Sequence, residues 1–125
     1  MVLIKESTVY VANAGDSRCV MAVGGKAMPL SVDHKPTLAS ERARIQKAGS
    51  KITAEGRIDG NLNLSRSIGD LRYKRNANLD PRDHPVTAFP DVKAAALTPK
   101  VDFLVIGCDG IWENKSSQQI IDFIY

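Results

Sequence analysis

Cysteine, histidine and aromatic side chains are scarce in this 125-residue chain, which has two Cys, two His and 6% aromatics. Cys19 and Cys108 each sit inside an apolar run rather than at framework spacings, so a disulfide-stapled scaffold is excluded. Both read as buried, reduced core residues of an intracellular protein. No apolar run approaches the roughly 18–20 residues that cross a bilayer. Met1–Lys5 is too short for a signal peptide, so no membrane association is expected and cytosol or nucleus is the expected location. Long basic runs are missing too: the longest is Lys74-Arg75, within a net charge of only +3. Charges this scattered suit an ordinary solvated surface and give a nucleic-acid partner little support. What remains is 43% hydrophobic, enough for one core and at most one domain over residues 1–125. The chain carries no internal repeat and no low-complexity tract.

The local patterns are mostly extended. Val2–Ile4 and Thr8–Ala12 are β-branched and apolar, separated by a polar connection suited to a hairpin. Ala14-Gly15-Asp16-Ser17 is turn chemistry, Arg18–Val23 resumes a strand, and Gly24-Gly25 fits a primed turn. Ala27–Leu30 is the returning strand, with Pro29 favouring an edge. Thr37 is placed to cap a helix running to about Ala48, with Leu38, Ile45 and Ala48 on one face and Gly49 as its stop. Short strands are expected at Lys51–Thr53 and Asn61–Leu64. Arg72–Pro90 is polar and proline-broken, long enough to suggest a functional loop. Val92–Leu97 and Asp102–Cys108 are further strands, the second so apolar that both faces should be covered. Ser116 to Gln119 is a capping box opening a last helix. Strands and helices do not alternate one for one, so the fold class is α+β.

Taken singly, the polar residues are ambiguous. Asp109 follows the most apolar strand, where a carboxylate can face a site, yet Asp-Gly after a strand more often marks a turn. Asp16, in Gly15-Asp16-Ser17-Arg18, is a turn residue by default and a metal carboxylate at best. His34 reads as a hydrogen-bonded loop histidine and His84 as a solvated one. Asp59 and Asp70 read as turn carboxylates; Asp80, Asp83 and Asp91 as solvated acids; Arg18 as an ion-pair partner.

The ordered combination is more informative. VYVANAGDSR at Val9–Arg18 and DHKP at Asp33–Pro36 precede ERARIQKAG at Glu41–Gly49. GRIDGNLNLSRSIGD at Gly56–Asp70, FPDV at Phe89–Val92 and FLVIGCDGIWE at Phe103–Glu113 follow. This order resembles the type-2C metal-dependent serine/threonine protein phosphatases along essentially the whole chain. The resemblance implies a partial four-layer α/β/β/α sandwich built on two antiparallel sheets. It implies hydrolysis of phosphoserine and phosphothreonine in proteins with two core Mg²⁺ or Mn²⁺ ions, beside which a third, more weakly held ion can bind. Hard divalent ions take oxygen ligands, which suits aspartates. Asp109 matches the family's direct ligand to the metal pair and Asp16 the ligand of a peripheral ion. Arg57, Ser65, Arg66, Gly69 and Asp70 match a structural string and receive no chemical step. Arg72–Pro90 takes the place of the flap, whose Arg72, Lys74 and Arg75 suit either phosphate attraction or simple solvation.

Departures from the family pattern limit what the chain can do alone. The DGHGG-type string, the phosphate-binding arginine and the late Asp-Asn string fall outside it. No catalytic acid or base and no substrate-binding residue is assigned. Only Asp109 of the core ligands is present, whereas each hard ion wants about six oxygens. The isolated chain is therefore expected to be inactive, and the alternative reading is a remnant acting at most as a binding module. Other phosphatase chemistries fail on spacing. A cysteine-based enzyme needs an arginine six positions beyond its thiolate, but Gly25 and Asn114 stand there. An aspartyl nucleophile of the haloacid-dehalogenase type needs a second Asp where Ile111 stands.

Overall fold

The computed structural model describes all of residues 1–125. Its contacts divide the chain into two compact units. The first comprises Met1–Asn13, Ser17–Val32 and Asp91–Tyr125; the second comprises Ala14–Asp16 and Asp33–Pro90.

The first unit holds both sheets. Strands β1 (Val2–Lys5), β2 (Thr8–Asn13), β3 (Arg18–Val23) and β4 (Lys26–Pro29) follow one another, with β5 (Asp91–Ala96) and β6 (Val101–Gly107) much later. They form two antiparallel three-stranded sheets, ordered β1-β2-β5 and β4-β3-β6. Gly24 and Gly25 have φ of 54° and 78°, the left-handed values a primed hairpin turn demands and glycine supplies without strain. Alternation along β2 and β3 then sorts the side chains by face. Val9, Val11, Cys19, Met21 and Leu30 meet in one buried cluster between the sheets. Val20 and Ala22, on the other face of β3, join Trp112 and Ile121 in a second. Ile121 belongs to α3 (Ser117–Ile124), whose capping box is formed as read, with Ser116 accepting from the Gln119 amide and Gln119 reaching back. The α+β class and the paired antiparallel sheets agree with the reading of the sequence.

Two expectations for this unit fail. Strand β6 is covered on both faces only in part: Leu104 packs on one cluster and Phe103 and Val105 on the other, but the strand lies at a sheet edge beside β3 and Ile106 is 62% exposed. Apolar composition does not distinguish a central strand from an edge strand, because the neighbour is chosen by distant segments. Cys19 is buried and burial pushes its thiol up, but Cys108 is exposed. Strand β6 has already ended at Gly107, so Cys108 caps the short helix that follows instead of packing in the core.

The second unit has little regular structure. Helix α1 spans Ala39–Lys47 and starts from Leu38 with no side-chain cap, so Thr37 is not the capping residue. Its buried face differs from the one expected: Leu38 is 38% exposed, while Ile45 and the carboxylate of Glu41 are buried. The two short strands reduce to single bridges from Ile58 to Ile52 and Leu62. Ile45, Ile58, Tyr73 and Val86 form the unit's apolar cluster. The long polar segment therefore contributes core residues, and His84, expected in solvent, is 7% exposed with its Nε2 3.0 Å from the Asn76 carbonyl oxygen. No helix of the chain is long and apolar enough to cross a membrane.

Candidate functional site

In the first unit, the candidate carboxylate is fixed by a tight reversal after β6. Gly107 ends the strand, Cys108 is extended, and α2 occupies Asp109–Trp112. The Trp112 indole Nε1 donates to the Gly107 carbonyl at 2.8 Å, folding the helix back onto the strand end. A Cβ at position 107 would lie 3.0 Å from Ile111 Cγ1 and 3.3 Å from the Trp112 ring. Any larger residue there would have to displace Ile111 or Trp112 by a few tenths of an ångström. Trp112 is buried beneath the guanidinium of Arg18, 5.1 Å from its ring centroid, and Arg18 Nη1 also donates to Ser117 Oγ at 3.0 Å. The expected ion-pairing arginine thus stacks on tryptophan and ties the strand end to α3.

This scaffold leaves Asp109 half-buried at the first position of α2. One carboxylate oxygen accepts from the Gly110 amide at 2.9 Å, and the other accepts no hydrogen bond from the chain. A carboxylate so oriented and so little used internally suits an oxygen-seeking cation.

The second unit contains Asp16, which is buried and paired with Lys35 Nζ at 2.5 Å. His34 anchors the same turn: its Nδ1 accepts from the Gly15 amide at 3.1 Å, as expected of a hydrogen-bonded loop histidine. Asp59 and Asp70 are turn residues, with φ of 48° and 49°. Asp59 accepts from Ser50 and the Lys51 amide, and Asp70 from Ser67. Asp80 is exposed and pairs with Arg82. Arg57 donates to the Asn61 carbonyl.

The flap-like segment encloses an open cavity of about 470 Å³, lined by Lys74, Pro81, Arg82, His84, Phe89 and Pro90 among others. Lys74 donates to the carbonyls of Ser67 and Gly69, and burial pulls its ammonium below the usual range. Arg72 lies on Tyr73 and Arg82 on Phe89.

Glu41, to which the sequence reading gave no role, organises this unit. Only 1% exposed, it accepts from Ser65 Oγ at 2.6 Å and pairs with Arg66 at 2.7 Å and Arg44 at 2.8 Å. Burial pushes its carboxyl up, but the bonds from Arg66, Arg44 and Ser65 outweigh that and hold it at about 2. The spacing of Glu41 and Arg44 was a visible signal of a helical pair; the approach of Arg66 was not.

No group of three or more His, Cys, Asp and Glu side chains gathers at a metal-sized site. Asp109 fits a hard divalent ion as a single ligand.

The paired antiparallel sheets have solved counterparts. A phosphatase from Toxoplasma gondii superimposes with a TM-score of 0.84 at 39% identity, covering 92% of this chain and 36% of that one. A second, a serine-threonine phosphatase 2C from the same organism, gives a TM-score of 0.77 at 24% identity over 97% of this chain and 43% of that one. The Protein phosphatase 2C family model matches residues 1–125, and the chain belongs to that family. Protein phosphatase 1G of Rattus norvegicus is 54% identical over 122 residues, 98% of this chain and 22% of its own length. Probable protein phosphatase 2C 11 of Oryza sativa is 54% identical over 123 residues, 98% of this chain and 34% of its own. The chain thus spans between about a fifth and a third of these relatives.

Proposed function

We propose that this chain is a segment of a protein phosphatase that hydrolyses phosphoserine and phosphothreonine in proteins of the cytosol or nucleus. The observation that carries the reading is Asp109, a half-buried carboxylate held at a strand end by the Trp112–Gly107 bond and barely used by the chain itself. In this reading Asp109 holds one divalent ion, Mg²⁺ or Mn²⁺. Such ions, when bound, lower the pKa of water and offset charge on the phosphoryl oxygens. This chain's own contribution is to fix one ligand, and the remaining donors come from elsewhere in a complete domain. A full-length protein carrying the segment should dephosphorylate a phosphothreonine peptide only with Mn²⁺ or Mg²⁺, and chelator should abolish turnover. Residues 1–125 alone should show none. Turnover that survives chelation would overturn the reading.

Asp16 takes a lesser part. Its pairing with Lys35 makes it a poorer ligand than Asp109, since an incoming ion competes with an ammonium already in place. In the full-length protein, Asp16→Ala should raise the Mn²⁺ concentration needed for half-maximal activity by roughly tenfold while tight binding persists. Titration calorimetry checks this, and complete loss of tight binding would contradict the division of roles.

A further inference from the structure

The flap-like loop is shaped from behind by one carboxylate. Glu41 Oε1 pairs with Arg66 Nη2 and its Oε2 with Arg44 Nη2, so both guanidinium groups are fixed from α1. Each guanidinium also reaches backbone carbonyls. Arg44 reaches the carbonyls of Ser65 at 2.7 Å, His84 at 3.0 Å and Pro85 at 3.4 Å. Arg66 Nη1 reaches the Phe89 carbonyl at 3.0 Å. Ser65 marks the entry to the loop; His84, Pro85 and Phe89 mark its exit. A short parallel bridge between Arg66 and Thr87, with Ser67 N donating to Thr87 O at 3.0 Å, closes the same neck. His84 and Phe89 also line the 470 Å³ cavity, so the backbone that the arginines hold is the backbone that forms its wall.

We propose that Glu41 is a positioning residue that holds residues 66–90 in one shape, and through that shape sets recognition of protein substrates without touching the reaction. Arginine suits the task because its planar fork serves a carboxylate on one side and carbonyls on the other. The carboxylate supplies the charge that keeps two buried guanidinium groups side by side; without it they repel. That the loop meets a substrate rests on the phosphatase reading above, whereas the clamp itself does not.

The test is amide hydrogen exchange on wild type, Glu41→Gln and Arg66→Lys, read by mass spectrometry. In Glu41→Gln, amides of 66–90 should exchange roughly tenfold or more faster, and by a clearly larger factor than those of β2, β3 and β6. Should that variant fail to fold, Arg66→Lys keeps a charge beside Glu41 but cannot also span to Phe89. It should then loosen 87–90 alone. In the full-length protein, Glu41→Gln should raise KM for a phosphothreonine protein roughly tenfold, with kcat for a small aryl phosphate kept within about twofold. Unchanged loop exchange in the variants that fold, equal acceleration in the sheets, or a fall in kcat on the small substrate would each overturn the proposal. A full-length protein that hydrolyses neither substrate would sink the phosphatase reading, while the exchange data would still decide whether Glu41 clamps the loop.

Discussion

Asp109→Ala in a full-length protein carrying this segment should lower Mn²⁺-dependent phosphatase activity roughly a thousandfold or more, about 4 kcal/mol of transition-state stabilisation. The fold should survive, because the side chain's one bond within the chain is to its neighbour Gly110. The local geometry is held instead by Trp112, through its bond to Gly107 and its burial against Val20, Ala22 and Ile121. Asp109→Asn separates charge from shape: it keeps the size and the acceptor oxygen but removes the charge that a divalent ion selects, so its activity should fall almost as far. Circular dichroism and thermal melting of both variants should match wild type closely. Activity within tenfold of wild type in Asp109→Ala would show that the ligand is assigned to the wrong residue.

The features that were legible in the sequence are those whose partners lie close in the chain. The Gly24-Gly25 turn, the Ser116 capping box and the stop at Gly49 each depend on backbone conformations or bonds within a few residues. Failures concentrate where a distant segment decides. Glu41 looks like a solvated helix residue until Arg66 arrives 25 positions later in sequence. His84 looks solvated until the Asn76 carbonyl and the Tyr73–Val86 cluster enclose its neighbourhood. Cys108 looks buried because its apolar run continues past the residue at which β6 stops. Asp109 follows the apolar run as expected but falls in α2, two residues past the end of β6, and the tryptophan bond that orients this reversal carries no sequence spacing of its own. A charged residue among apolar ones on a helix face is therefore a signal for a long-range partner whose identity only the fold supplies.

Acid should expose the Glu41 network as the most pH-sensitive part of the protein's stability. Its carboxyl is held at about 2 in the folded chain against an ordinary 4.5. The folded-state value is depressed, so the linked stability is fully present above about 4.5 and is lost as pH falls toward 2. The size of that contribution is roughly 3 kcal/mol, a large share of the 5–15 kcal/mol typical of a folded domain. Protonation at low pH and substitution by glutamine do the same thing to Arg44 and Arg66: each removes the carboxylate charge that the two share. Glu41→Gln should therefore cost roughly 3–5 kcal/mol at pH 7. Its stability relative to wild type should then recover steadily as pH falls from about 5 to 2. Other acids with lowered values, Asp80 and Asp102 among them, titrate in both proteins and cancel in the difference. Urea unfolding of the two proteins at several pH values between 7 and 2.5 measures it directly. Curves that run parallel across this range would mean that folding leaves the proton affinity of the Glu41 carboxyl unchanged, and that its pairing with the two arginines is not what stabilises the fold.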